Sequence, residues 1–228
     1  MSENKTGKYF KYAIGEILLV VIGILIALSI NNWNEAQKEE ALELDYLTGI
    51  KTDLESDINT AEYRISRKLH KISALHKIDS TFIPNRDIET HDISLDSIKI
   101  DYIFNRGPSF RLVSGTYKAL TSNTSAGLIK NTQLFQSIQN LYEVKQASTN
   151  SVYSDLKRRE EYVGWKYAKE LKNSDLQTFF MDNPNKKEIL ADFDYYYRQQ
   201  VLMCRQLMDK HELMLQIIDD INTELEQR

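Results

Sequence analysis

Few residues of this chain have the types and spacing that chemistry needs. Its four histidines are His70, His76, His91 and His211. Two imidazoles on one helix share a metal when they lie three or four residues apart, because that spacing stacks them on one face. His70 and His76 are six apart and face different ways, so no metal site is assigned. His211 falls in an apolar register and reads as a seam histidine, with a pH switch as the sharper alternative. The single cysteine, Cys204, excludes an intrachain disulfide and any cysteine zinc site. It lies in the same register and reads as a small core residue rather than a reactive thiol. Serines are plentiful, but no G-x-S-x-G elbow surrounds one. The pair Asp219-Asp220 reads as a solvated helix face. No catalytic residue and no cofactor is assigned, and the expectation is a protein that is not an enzyme.

The aromatic residues carry a different kind of signal. Tyr195, Tyr196 and Tyr197 are consecutive, and three rings in a row cover most of a helix circumference. One face must meet another element or stay exposed. The first reading is core with an exposed rim; the second is a patch that contacts a partner or ligand. Tyr117 sits on a predicted short helix that closes the bundle or covers a ligand pocket. These four tyrosines form the candidate interaction patch.

The elements that hold such residues follow from the hydropathy pattern. Residues 12–35 read YAIGEILLVVIGILIALSINNWNE, one apolar run near the N-terminus. Ile17–Ile30 is free of charge but spans only about 21 Å as a helix, short of the ~30 Å hydrocarbon core. With Ala13–Glu16 included, the segment crosses with little tilt. Glu16 then lies in the first turn near the headgroups, at the positive end of the helix dipole. Tyr12 and Trp33 bound the run as interfacial aromatics do. Ala27-Leu28-Ser29 is a poor cleavage site, which favours an uncleaved anchor over a signal peptide; a buried core helix is the other alternative. Gly15 and Gly23 fall on similar faces and offer a close approach to a second copy, although Leu19 between them breaks a GxxxG pattern. The anchor residues are thus Tyr12, Gly15, Glu16, Gly23 and Trp33, and the lipid bilayer is the first partner.

Orientation follows the lysine balance. Lys5, Lys8 and Lys11 precede the run, whereas only Lys38 and the more distant Lys51 follow it closely. This places the N-terminus in the cytoplasm and the bulk of the chain in the periplasm, at a bacterial inner membrane. The formal net charge is -4, with signs interspersed and no basic stripe, so nucleic acid is not expected as a partner. A protein partner or a homo-oligomer is.

Eight glycines and three prolines in 228 residues leave few turns, so long helices are predicted. Apolar residues recur at Leu47, Ile50, Leu54, Ile58, Ala61, Ile65, Leu69 and Ile72, an eleven-residue repeat of a nearly straight helix. That helix is expected to run from the membrane to about Ser80, ahead of Pro84. A short helix is predicted over Ser94–Asn105, stopped by Arg106-Gly107-Pro108, and another after a Thr116 cap. Asn131 is predicted to cap a long helix that bends or is solvated near Lys145–Ser151, with a binding surface there as the alternative. Its apolar pattern resumes with Val152, Leu156, Val163 and Trp165. Ser174 and Asn183-Pro184 are read as later caps. The last helix is predicted to reach about Glu226. Its seam is read as Val201, Cys204, Met208, His211, Leu215, Ile218, Asn222 and Leu225, widened by Leu207, Met214 and Ile221. The fold class is all-α: one transmembrane helix continuing into an extramembrane bundle of long helices joined by short ones. Its parts are a cytoplasmic leader at 1–12, the span at 13–31, stalk and first bundle helix at 32–80, and the rest of the bundle at 81–228.

Two stretches carry a family resemblance. Residues 12–35, with Glu16, Gly23 and Asn31-Asn32-Trp33-Asn34-Glu35, and residues 115–142, GTYKALTSNTSAGLIKNTQLFQSIQNLY, together resemble domain of unknown function 6090. Relative to that pattern the second block carries extra residues around Asn123–Ser125. The resemblance implies a single-span bacterial membrane protein, found mainly in Bacteroidota, with a helical fold and no known activity. The expected function is a membrane-anchored periplasmic scaffold or protein-interaction module. The alternative is a ligand-binding or sensory bundle that signals through a partner. A hydrolase acting on envelope polymers is the weakest of the three.

Overall fold

One helix of 74 residues organises the molecule. In the computed structural model, which describes residues 5–84, 88–95, 98–104, 107–122 and 127–227, α1 runs without a break from Lys5 to Ile78. At 1.5 Å per residue it is about 110 Å long. Residues 12–30 have nothing packed against them; Ile17 is 64% exposed and Trp33 66%. By length and composition this segment can cross a membrane. The predicted eleven-residue stripe then enters the core: Leu47, Ile50, Leu54, Ala61 and Ile72 are fully buried, with Ile58, Ile65 and Leu69 packed beside them. The helix stops where Asp79 turns the chain. Its carboxylate accepts from the Thr81 N–H at 2.9 Å and the Thr81 hydroxyl at 2.7 Å, and these bonds hold its pKa below the usual carboxylate value.

From there the described parts of residues 79–131 return along α1 as a mostly irregular strap, which includes α2 (Ile100–Phe104) and α3 (Gly115–Ser122). Its direction can be read from its attachments. The His91 N–H donates to Ser73 Oγ at 3.0 Å, Val113 N–H to Asp57 at 2.8 Å, Thr116 N–H to Asp53 at 3.4 Å, and Lys130 N–H to Glu43 at 2.7 Å. The strap positions rise while the α1 positions fall, so the strap descends. Backbone donors without a helix or sheet to satisfy them are thus taken up by side chains of α1. Gly107, at φ +64, makes the turn ahead of Pro108 in a conformation that favours glycine.

The chain then climbs through α4 (Thr132–Gln139), a π-helical turn (Asn140–Lys145) and α5 (Gln146–Lys166). Short α6 (Ala168–Asn173) and α7 (Leu176–Phe180) cross the distal end. The 41-residue α8, Lys186–Glu226, descends to the base, where the Asn131 amide donates to Glu224 at 3.0 Å. Three long helices and a strap therefore enclose one core, and no strand occurs among the described residues. The core is layered. Aliphatic residues such as Ile50, Ile138 and Ile221 fill the base, and a cluster of Phe179, Phe180, Phe193 and Tyr167 fills the tip. Phe180 and Phe193 meet edge to face at 4.7 Å, the favoured aromatic geometry.

The close contact of α3 with α1 depends on Gly49. A Cβ there would stand 2.8 Å from Thr116 Cγ2, inside van der Waals contact.

Several local expectations are corrected. The predicted helix at 94–105 is shorter, Ile100–Phe104, because the chain before it is drawn out to cover the core with Ile88 and Ile98; residues 96, 97, 105 and 106 lie outside the described set. So do residues 1–4 of the leader and Asn123–Ser125. Helix α3 starts one residue before Thr116, and the Thr116 N–H is taken by Asp53 instead. Asp175, not Ser174, caps α7 by accepting from the Thr178 N–H at 2.7 Å. Asn183 accepts from the Asn185 N–H in a turn, and α8 begins later, at Lys186. Asn131 does cap α4, accepting from Leu134 N–H at 3.1 Å.

The seam of α8 moves by one residue. Its centre is Phe193, Gln200, Leu207, Met214 and Ile221 together with Tyr196, Met203, Lys210 and Ile217, every one of them buried. These alternate at three and four residues, a strict heptad. Leu215, read as a seam residue, is 48% exposed. The expected register placed His211 and Asn222 in the seam, whereas the true one carries Gln200 and Lys210.

Candidate functional site

The polar seam residues belong to two buried layers. In the upper layer the Lys68 ammonium donates to Gln200 Oε1 at 2.8 Å, and the Gln200 amide faces Glu160 at 3.5 Å. The Tyr196 hydroxyl donates to the Ile103 carbonyl and lies 3.5 Å from Glu160. Lys71 is buried beside them, its ammonium 5.5 Å from the Tyr102 ring centroid. Burial pulls Lys68 down to about 8 and Lys71 to about 7, and their mutual repulsion adds to the fall at Lys71. Burial likewise pushes the Cys204 thiol up to about 11, which with complete burial makes it an inert core residue.

In the lower layer Gln146 is a clamp. Its Oε1 accepts from Lys210 at 2.7 Å and its Nε2 donates to Phe110 O at 3.2 Å and Asn150 at 2.9 Å. Lys210, pulled down to about 8 by burial, also faces Asp57. The upper layer and Lys210 are buried, whereas Gln146 is half-buried and reaches the exposed Asn150. Polar contacts of this kind fix helix register.

The candidate tyrosines separate. Tyr117 is buried, stacked on Tyr142 at 4.5 Å between centroids, with its hydroxyl donating to Glu143 at 2.5 Å. Tyr142 packs flat against the Tyr117 ring, and α3 lies on α1. Tyr196 and Tyr197 are core residues, the latter stacked on Phe82. They leave the patch because α8 is enclosed by both α1 and α5 at this level. Only Tyr195 reaches the surface.

There it joins residues that sequence reasoning passed over. The Arg159 guanidinium lies 4.9 Å from the Tyr162 ring centroid and 5.0 Å from that of Tyr195, a cation held between two rings. Trp165, one turn beyond Tyr162 on α5, is 84% exposed. This Arg–Tyr–Tyr–Trp face lies at the distal tip, where Lys166 bridges Asp192 at 2.6 Å and Glu188 at 2.7 Å. The exposed ion pairs Lys157–Glu161 and Arg158–Asp155, in the turns before Trp165 on α5, are the signal that this side of the helix faces outward.

The histidines are not gathered as ligands. His76 meets the Phe82 carbonyl at 2.7 Å, His70 packs against Tyr102, and His211 contacts Glu62 at 3.2 Å. No group of three or more His, Cys, Asp or Glu side chains that could hold a metal occurs among the described residues. The residues expected to anchor the chain, Tyr12, Gly15, Glu16, Gly23 and Trp33, all lie on the unpacked part of α1, and a Cβ at Gly15 or Gly23 would meet nothing within 4 Å.

Compared with known families, residues 16–198 match the model of a family of unknown function (DUF6090). No curated protein and no solved structure matches the chain.

Proposed function

The chain belongs to DUF6090, a family of unknown function, and from that premise we propose that it is a membrane-anchored, non-enzymatic helical module that holds a protein-docking face clear of the bilayer. The continuity of α1 carries this reading: the apolar segment and the bundle are parts of one helix with no joint between them. The bundle begins near Glu43 and ends near Ile78, so its base stands about 20 Å, and its tip about 70 Å, beyond Ile30. The tip carries the tryptophan, tyrosines and arginine that protein interfaces favour. Three lysines before the apolar run favour a cytoplasmic N-terminus at the inner membrane, with the bundle in the periplasm.

The test is topology combined with cross-linking. A single cysteine placed after Arg228 in a Cys204→Ser background is labelled in intact cells with a maleimide excluded by the inner membrane. Labelling is expected. Protection relieved only by permeabilising the inner membrane defeats the periplasmic assignment. A photo-reactive residue in place of Trp165 is then expected to cross-link to one protein, and Arg159→Ala in the same chain is expected to abolish the product. Unchanged cross-linking in that variant removes the docking face from the proposal.

A further inference from the structure

A cleft of about 560 Å³ lies between α1 and α8, walled on a third side by the strap at His91 and Ile93. Its size is within the range of small-molecule sites. Its floor is apolar: Ile65 and Leu69 from α1, Ile93 from the strap and Met208 from α8. On α1 it extends from Glu62 to Ser73, about 16 Å of helix. The two ends differ. Glu62, Glu212 and His211 stand at the end nearer the base, whereas His70, His91 and Ser73 stand at the other. The strap wall is fixed in place, since the His91 N–H donates to the buried Ser73 hydroxyl.

From this arrangement we infer that the cleft is a binding site for a small amphipathic amine, a ligand with an apolar ring body and one protonated nitrogen. The sign of the ligand follows from the lining. Two carboxylates stand at one end, and none of the lining residues is a lysine or arginine. An anionic ligand meets repulsion there and finds no fixed cation. A cation finds Glu212 and Glu62, the latter within 3.2 Å of the His211 ring, which orients it. The body lies on the aliphatic floor, and the imidazoles of His70 and His91 line the far end. A metal does not suit the site, because no three ligating side chains converge. The inference stands apart from the tip face; it uses a different pair of elements, and variation at Trp165 leaves it untouched.

The probe is tryptamine, compared with tryptophol and indole-3-propionate, which replace the ammonium by a hydroxyl and a carboxylate on a similar indole side chain. The full chain, reconstituted in nanodiscs of zwitterionic lipid, carries methionine labelled with 13C at the methyl, and Met208→Leu assigns the reporter resonance. Tryptamine is expected to shift the Met208 methyl saturably while Met203 and Met214, in the core, stay still. Tryptophol is expected to bind about tenfold more weakly, the sum of two partly exposed charge contacts. Indole-3-propionate is expected to leave the resonance unmoved. In the Glu62→Gln, Glu212→Gln variant, tryptamine and tryptophol are expected to bind alike. Both substitutions are at exposed positions, so folding is retained. Equal affinity of the three compounds in the unaltered chain, tighter binding of the carboxylate, or no saturable shift at Met208 each overturns the proposal.

Discussion

The Lys68 ammonium and the Gln200 amide oxygen meet at 2.8 Å in the middle of the bundle, both buried. A charge in such a place makes stability depend on pH. Lys68 and Lys210 stand at about 8 and Lys71 at about 7, against 10.5 for a free lysine, in each case chiefly because burial disfavours the cation. Between those values the unfolded chain binds more protons than the folded one, so stability rises with pH. The opposite holds for acids whose protons the fold retains. Cys204 is raised to about 11, Tyr167 to about 12, and Tyr196 well above 10.0, all mainly by burial. Stability therefore rises from about pH 7, levels off and falls above about pH 10. Thermal melts of the reconstituted protein at constant ionic strength are expected to show a maximum near pH 9 to 10. Lys68→Met is expected to flatten the rising limb. A melting temperature that falls steadily from neutral pH contradicts this account.

The same layer predicts an asymmetry between single and paired substitutions. Glu160→Ala removes the carboxylate that faces Lys68 and Lys71 and is expected to cost about 3 kcal/mol, because two cations then remain buried. The pair Lys68→Met with Gln200→Leu removes one cation together with its acceptor. Because Lys71 still faces Glu160, it is expected to cost less than Glu160→Ala, about 1–2 kcal/mol. Urea unfolding of the three chains measures the difference.

Gly49 offers a change of sign. Gly49→Ala gains about 1 kcal/mol of helix propensity but drives its Cβ into Thr116 Cγ2 at 2.8 Å. Overpacking of this kind costs about 1–3 kcal/mol, so the net effect is expected to be destabilising. In a Thr116→Ala background the next atom met is Thr116 Cβ, at 3.6 Å, and Gly49→Ala is expected to stabilise by about 1 kcal/mol. Additive behaviour of the two substitutions would falsify the contact.

Asp57 holds the strap. Asp57→Ala leaves the Val113 N–H without its acceptor and is expected to cost about 1–3 kcal/mol. Hydrogen exchange is expected to quicken first at residues 110–117, while the tip aromatics keep their protection. Uniform loss across the bundle counts against a local fastening.

Cys204 gives a reporter of global opening. With its thiol fully buried and raised to about 11, it is expected to resist maleimide in the native protein and to react at the unfolding rate in urea. Prompt native labelling contradicts its place in the core.

What the sequence disclosed depended on how each signal was written. The α1 stripe was legible because eight apolar residues keep one period with no polar member among them. The α8 register was misread by one residue because its true heptad carries Gln200 and Lys210, whose burial depends on Lys68, Glu160 and Gln146 from helices far away in sequence. The strap was unreadable for a related reason. Its backbone is satisfied by Asp53, Asp57 and Glu43, carboxylates that look like an ordinary solvated helix face until the strap lies on them. The tip face and the cleft are likewise meetings of separate segments, Arg159 with Tyr195 and Glu62 with His211, and neither has a period to detect.

The unbroken α1 has a mechanical corollary. A lever with no hinge transmits angle, and its far end magnifies it. With residues 13–31 seated in a bilayer, about 85 Å of helix separates the middle of that segment from Ile78. A change of about 10° in tilt, within the range that spanning helices adopt to match bilayer thickness, swings the distal end through about 15 Å. Lipid composition thereby becomes a setting of where Trp165 can reach.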